Sequence, residues 1–113
     1  MSTGRGDRGK RTRGYTMPAF VLLMNLTAKG AADIKNMPQR IEESMKAFEA
    51  MGGKVLSFHV TMGAYDMVAV GEAPSDEVAA TMALGLSAAG NVTTTSLHAF
   101  SREEFTALLS KLP

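Results

Sequence analysis

The pattern of apolar and polar positions predicts a first strand followed by an amphipathic helix. Residues 19–26 read AFVLLMNL, a continuous apolar run typical of a strand buried on both faces. Residues 27–36 follow without a clear period, and we expect them to be loosely structured. Asn36 can then cap a helix, with Gln39 at capping-box spacing and Pro38 in the first turn. Gly52-Gly53 ends this helix. The helix is supported by an apolar stripe formed by Ile34, Met37, Ile41, Met45 and Phe48.

Two strands joined by a short turn come next. The connection Gly63-Ala64-Tyr65 contains glycine and favours a hairpin, so the strand from Asp66 to about Gly71 should pair with the strand before it. That earlier strand, residues 55–62, alternates in character. One face would carry Leu56, Phe58, Val60 and Met62, and the other would carry Val55, Ser57, His59 and Thr61.

The remaining chain is predicted to contain a helix, a strand and a last helix. Pro74 and Ser75 open the second main helix, and Gly90-Asn91 closes it. Residues 92–99, VTTTSLHA, are β-branched and alternating, which predicts a fourth strand. Ser101 and Glu104 form a capping box for a last helix. The order β-α-β-β-α-β predicts an α+β, ferredoxin-like domain with a four-stranded antiparallel sheet and helices on one face.

The uncovered face of this sheet is the predicted contact surface. Its first and third strands are apolar on both faces, and an apolar sheet surface usually marks an interface. We therefore expect a homodimer, or a higher homo-oligomer, whose open faces pack together around a small cavity. The polar residues expected on this face are Asn25, Ser57, His59, Thr61, Thr94, Ser96 and His98.

Length and composition narrow the class of protein. The chain has 113 residues, no cysteine and a net charge of +1, which indicates one ordinary globular domain and fits a reducing, cytoplasmic location. No apolar run approaches the roughly 20 residues needed to cross a bilayer. Residues 1–16 hold five basic residues against Asp7, whereas the rest holds seven basic and ten acidic residues. We predict a disordered basic leader over 1–16 and a folded domain over 17–113, and we do not expect nucleic-acid binding because the body is acidic.

Candidate chemistry is sparse. His59 and His98 are the only histidines, and both are expected on the open face, although at opposite edges of the sheet. Two histidines without cysteine or a carboxylate cluster make a poor metal set, so we predict no metal. Two interpretations remain open for the turn that contains Gly63, Tyr65 and Asp66. Either Gly63 adopts positive φ while Asp66 bonds the turn backbone, or the Tyr65 hydroxyl and the Asp66 carboxylate hold a ligand.

From Met17 to about Phe105 the chain resembles the GYD domain family of small bacterial and archaeal proteins. The resemblance rests on MPAFVLLMNLTAKG, IKNMPQRIEE, AFEAMGGKVLSFHVTMGAYDMV and GNVTTTSLHAFSREEF, in the order of the family. Ala64 interrupts the eponymous Gly-Tyr-Asp here, so Gly63, Tyr65 and Asp66 are the residues that match. The resemblance implies a ferredoxin-like domain with dimeric α/β-barrel association, and it implies no assigned biochemical role.

Two functions remain as hypotheses. The first is a homo-oligomeric domain that binds or senses a small molecule through Gly63, Tyr65, Asp66, His59 and Asn25. The second is a small cofactor-independent enzyme of the monooxygenase or isomerase type, with His59 as the candidate base and Tyr65 or Asp66 as its partner. Neither requires a cofactor or a membrane. The expected partners are a second copy of the chain and a small-molecule ligand.

Overall fold

The computed structural model describes residues 17–113, and the predicted disordered leader, residues 1–16, lies outside the described residues. Four strands form one antiparallel sheet, with helices on one face, which confirms the predicted α+β, ferredoxin-like arrangement. The elements are β1 (Ala19–Leu26), α1 (Ala28–Ala32), a 3₁₀ turn (Ile34–Asn36), α2 (Met37–Ala50), β2 (Lys54–Val60), β3 (Met67–Glu72), α3 (Asp76–Ala89), β4 (Val92–Ala99) and α4 (Arg102–Leu109).

The sheet has the strand order β2-β3-β1-β4, so β1 and β3 are central and β2 and β4 are the edges. The buried core cluster consists of Met24, Met37, Met67 and Val92, with Ile41 of α2 and Leu86 of α3 packed against it. Because side chains alternate along a strand, Met24 places the even-numbered residues of β1 under the helices. The odd-numbered residues of β1 therefore lie on the open face.

Local hydrogen bonds explain where the helices begin and end. Ser101 and Glu104 form the predicted capping box at α4, and Ser75 caps α3 through its side chain. Gly90 ends α3 in the left-handed conformation, with φ of 82°. Asn36 does not cap α2, contrary to the prediction, because its side-chain amide donates to Asp33 Oδ1 at 2.6 Å.

The segment predicted to be loosely structured contains α1. Thr27 caps this short helix, since its Oγ1 accepts a hydrogen bond from the Gly30 N–H at 3.1 Å. The same hydroxyl donates to the carbonyl oxygen of Gly90 at 2.6 Å. Thr27 therefore fixes α1 against the end of α3. No helix within residues 17–113 combines the length and the apolar character needed to cross a bilayer.

The predicted faces of β4 are wrong by one residue. β1 pairs with β4 so that Met24 lies opposite Thr94 and Phe20 lies opposite His98. Thr94, Ser96 and His98 consequently share the helix-covered face with the core residues of β1. The open face instead receives Leu97, which is 47% exposed, and Thr95.

A bulge corrects the predicted alternation of β2. The pairing with β3 shifts between Val55 and Ser57, so Leu56 is an extra residue in the ladder. Val55 therefore lies opposite Gly71 and lines the helix-covered side, together with Phe58. Ser57 and His59 pair with Val70 and Val68 and lie on the open face, as predicted.

Candidate functional site

Residues 61–66 form a closed turn, which we call the corner. Gly63 has φ of 104°, a positive value that only glycine adopts readily. The Thr61 hydroxyl donates to the Tyr65 carbonyl oxygen at 2.6 Å, and the Thr61 N–H donates to the Asp66 carbonyl oxygen at 2.9 Å. These two bonds fix the backbone of the corner without any ligand.

Asp66 connects the corner to the central strand β1. Its Oδ2 accepts a hydrogen bond from the Leu26 N–H at 2.8 Å. Its own N–H is directed at the Met24 carbonyl oxygen, at 2.9 Å, and at the Asn25 Oδ1, at 3.2 Å. The structure thus brings Asp66 and Asn25 together, as a ligand site would require. Both side chains already accept backbone hydrogen bonds, however, and their ligand role stays a prediction.

The other predicted site residues are less closely grouped. Within residues 17–113 the Tyr65 hydroxyl makes no hydrogen bond, and its ligand role stays a prediction. His59 is exposed on the edge strand β2, and its imidazole has no polar partner in this part of the chain. His98 lies on the opposite edge and the opposite face, stacked on Phe20 at 5.1 Å and on Phe100 at 5.3 Å between ring centroids. The two histidines therefore do not share a site.

The described residues contain no group of three or more histidine, cysteine or acidic side chains that could hold a metal ion. They do contain a cavity of about 550 Å³, which the sequence did not predict. It lies between α2, α3 and the covered face of the sheet, and we call it the α2–α3 cleft. Small residues of α3, including Ala79, Ala83 and Gly85, line it and leave the space unfilled. The high alanine and glycine content of α3 was the available sequence signal.

Among the polar residues that line the α2–α3 cleft, two have a buried atom without a hydrogen-bond partner. Asn91 is only 7% exposed, and its Oδ1 is buried without a hydrogen-bond partner. The Nε of Arg40 is likewise buried and unpaired, while the end of the same guanidinium pairs with Asp33. Buried polar atoms are normally hydrogen-bonded, so these two atoms require an explanation.

The Asp33–Arg40 pair allows a first prediction. The hydrogen bond from Arg40, and secondly that from Asn36, hold the pKa of Asp33 below its ordinary value of 3.8. Because the folded-state pKa is lowered, the stabilisation is present above the ordinary pKa and is lost as pH falls through the folded-state value. We expect Arg40→Met to raise the pKa of Asp33, measured by NMR titration of its carboxyl carbon. An unchanged pKa in this variant would contradict the pairing, and Lys46→Met serves as a control that removes a more distant cation.

The last helix exposes an apolar stripe. Phe105, Leu108 and Leu109 of α4 and Leu112, which follows the end of the helix, are between 41% and 66% exposed, and we call these four residues the α4 stripe. Within residues 17–113, α4 makes at most slight contact with any other element. An amphipathic helix whose apolar side meets solvent indicates an interaction surface.

Sequence comparisons identify the family. The GYD domain model matches residues 20–109, from β1 through α4. A relative from Thermus thermophilus, described as a glutamine synthetase and cystathionine beta-lyase binding protein, is 34% identical over 94 residues. The match covers 82% of this chain and 99% of the relative. As its sequence predicted, the chain belongs to the GYD domain family.

Proposed function

We propose that this chain is a homo-oligomeric binding protein that docks onto a partner enzyme through the α4 stripe. The observation that carries the proposal is the exposed apolar side of α4, which has no packing partner of note within residues 17–113. The relative that aligns over nearly its full length is described as a binding protein for two enzymes. We therefore take glutamine synthetase and cystathionine beta-lyase as the first partners to test.

The chemistry of α4 suits insertion into a groove on another protein. Phe105, Leu108 and Leu109 stand at positions i, i+3 and i+4 of α4, which is part of the spacing of anchors in helix-in-groove recognition, and Leu112 follows shortly after the helix ends. An aromatic ring and three leucines also supply apolar surface whose burial in a groove would favour binding. The capping box at Ser101 and Glu104 fixes where the helix begins, and so sets the positions of these anchors once the helix is formed.

Purified enzymes test the docking directly. We expect the wild-type protein to bind glutamine synthetase or cystathionine beta-lyase from the same host in biolayer interferometry. Leu109→Glu should weaken that binding at least about tenfold, because a buried unpaired carboxylate replaces an apolar anchor.

Leu84→Glu is the matched control, since Leu84 is 71% exposed on α3 and lies outside the α4 stripe. Equal losses in both variants, or no binding of either enzyme by the wild-type protein, would contradict docking through α4. Circular dichroism of each variant checks that the fold is retained.

The open face of the sheet is proposed to receive a second copy of the chain. Across its centre, Leu97, Val21 and Val70 form one row, and Leu23 lies next to Val68 in the following row. Lys54 and Glu72 lie opposite each other at one end of this face, so that it carries both signs of charge. A two-fold contact requires such a self-complementary surface.

A charge on this surface should break the oligomer. We expect Leu97→Asp to shift the protein to a monomer in sedimentation-velocity experiments, because the carboxylate would be desolvated in the contact. Val60→Asp is the control, since Val60 is 78% exposed at the end of β2 on the other face. A wild-type protein that is already monomeric would refute the packing of open faces.

Small-molecule binding at the corner remains part of the proposal. The Tyr65 hydroxyl, unpaired within the described chain, supports it, and the Gly63 turn places Tyr65 next to Asp66. The alternative of a cofactor-independent monooxygenase or isomerase has less support, because the exposed His59 has no polar partner among residues 17–113. We place these activities in the cytoplasm as part of the same proposal.

A further inference from the structure

We propose that the α2–α3 cleft binds an unbranched hydrocarbon chain, such as a fatty acyl chain, whose polar head stays at the opening of the cleft. The inference goes beyond the proposed function, because it involves neither docking through α4 nor the residues of the corner. The site lies on the helix-covered side of the sheet. The class of ligand follows from the shape and the lining of the cavity.

The cleft is long because the two helices that form it stay apart. Within residues 17–113, α2 and α3 make at most slight contact with each other. Lining residues extend along α2 from Met37 in its first turn to Met51 directly after its end, and along α3 from Ala79 to Ala89. A helix of 14 residues is about 21 Å long. Over this length, a volume of about 550 Å³ corresponds to a mean cross-section of only about 26 Å². Such a narrow, elongated cavity suits an extended chain better than a compact ring system.

Flexible apolar side chains form much of the lining. Six of the nine methionines of the chain belong to it, namely Met24, Met37, Met45, Met51, Met67 and Met82. Methionine is unbranched and adapts its shape to irregular apolar partners. Protein interiors are normally close-packed, and side chains that face a cavity lose dispersion contacts on that side. A hydrocarbon chain in the cleft would restore these contacts.

The unpaired polar atoms of the cleft residues cannot anchor a head group. Arg40 Nε and Asn91 Oδ1 are buried by protein atoms, so a molecule in the cleft does not reach them. Of the other polar side chains in the lining, those of Glu43, Thr81 and Ser96 are exposed and lie where the cleft meets solvent. The cleft therefore favours an apolar body, and the polar head of the ligand is expected in solvent at the opening.

Calorimetric titrations of the full chain test the hydrocarbon chain and the head separately, with probes kept below the concentration at which micelles form. From octanoate to decanoate we expect binding to tighten about tenfold, because two further methylenes are buried. Adamantane-1-carboxylate, a compact cage with a similar number of carbons, should bind at least about tenfold more weakly than decanoate, because it cannot contact the cleft along its length. Decanoylcholine carries the opposite charge and should match decanoate within about threefold, since its head lies in salt-screened solvent.

Methionine methyl signals locate the bound chain. In protein labelled with ¹³C at these methyl groups, decanoate should shift the NMR signals of cleft residues such as Met45 and Met82. Met62, which is 98% exposed at the corner, is the internal control and should not shift. Raising the protein concentration without any probe should leave Met82 unchanged. A shift under that condition would show that a second copy of the chain fills the cleft, and it would overturn the proposal.

A substitution that fills the cleft should weaken binding without a change of charge. Ala83→Phe adds a ring to a lining position of α3, and we expect the affinity for decanoate to fall at least about tenfold. Leu84→Phe is the matched control, since Leu84 is the next residue and is 71% exposed outside the cleft. Circular dichroism checks that both variants fold. If Ala83→Phe does not fold, the probe series with the wild-type protein carries the test.

Four results would overturn the proposal: no binding of decanoate, equal binding of decanoate and the cage compound, a strong preference for one head group, or shifts confined to Met62. Unchanged decanoate binding by a folded Ala83→Phe variant would do so as well. The variant Leu109→Glu, which removes an anchor of the α4 stripe, should bind decanoate as the wild-type protein does. Failure of enzyme docking and failure of chain binding are therefore observed independently.

Discussion

Gly30→Ala is expected to lower the free energy of unfolding by about 3 kcal/mol, the upper part of the range for overpacked sites. A Cβ on Gly30 would lie 2.1 Å from the carbonyl oxygen of Asn91, far inside van der Waals contact. That oxygen cannot simply move away, because it accepts the hydrogen bond from the Thr27 N–H. Either α1 separates from β4 or the hydrogen bond breaks. Urea denaturation followed by circular dichroism measures the loss.

The matched control for this substitution is Gly85→Ala. Gly85 also lies in a helix, but a Cβ there meets no atom within 4 Å. Alanine is favoured over glycine in a helix interior, so this variant should be more stable than the wild type by about 0.5–1 kcal/mol. The same exchange is therefore expected to have opposite signs at the two positions. A neutral or stabilising Gly30→Ala would show that α1 does not press against Asn91.

Asp66→Ala is expected to destabilise the fold by about 2 kcal/mol. The Asp66 carboxylate accepts the Leu26 N–H at the end of β1, and hydrogen bonds to charged groups contribute about 1.5–3 kcal/mol. Truncation would leave that partly buried N–H without its partner. The loss should appear as a lower denaturation midpoint with an unchanged dependence on urea concentration.

Asp66→Asn separates the hydrogen bond from the charge. The amide keeps an oxygen that can accept the Leu26 N–H, so we expect less than half of the loss seen with alanine. If Asp66→Ala folds with wild-type stability, the bond to β1 is dispensable. The side chain of Asp66 would then not be needed for stability, and the hypothesis that its carboxylate binds a ligand would gain support.

The sequence predicted the elements of the fold because their signals are local. Capping at Ser75 and Ser101, the left-handed glycine at Gly90 and the apolar run of β1 depend on a few neighbouring residues each. The turn at Gly63 belongs to the same class, since its positive φ follows from glycine and the short connection. Local rules of this kind could be read from the chain alone.

The errors in the strand faces arose where pairing between distant segments decides the outcome. The polar residues Thr94, Ser96 and His98 suggested that they lie on the open face of the sheet, but the register with β1 places them on the helix-covered face. Ser96 and His98 nevertheless remain exposed to solvent on the edge strand β4. The bulge at Leu56 similarly reversed the face of Val55. A register shift of one residue moves side chains to the other face, and no local signal reported it.

The candidate site was only partly accessible to sequence reasoning. The motif match pointed to Gly63, Tyr65 and Asp66, and the structure places Asn25 beside Asp66. The sequence signal for the α2–α3 cleft was limited to the small residues of α3, because the cavity depends on side chains from three separate elements. The unpaired atoms of Arg40 and Asn91 become visible only when all hydrogen bonds around them are known.

Because α4 is short, we expect it to become fully ordered only when it binds a partner. Isolated helices shorter than about 12–15 residues are marginally stable in water, and α4 has eight residues with little support from the rest of the chain. Its amide hydrogens should exchange with solvent far faster than those of β1 until a partner covers the helix. Ordering of the helix and association would then be a single coupled event. Affinity could in that case be adjusted by helix propensity at solvent-facing positions such as Thr106, without any change to the contact itself.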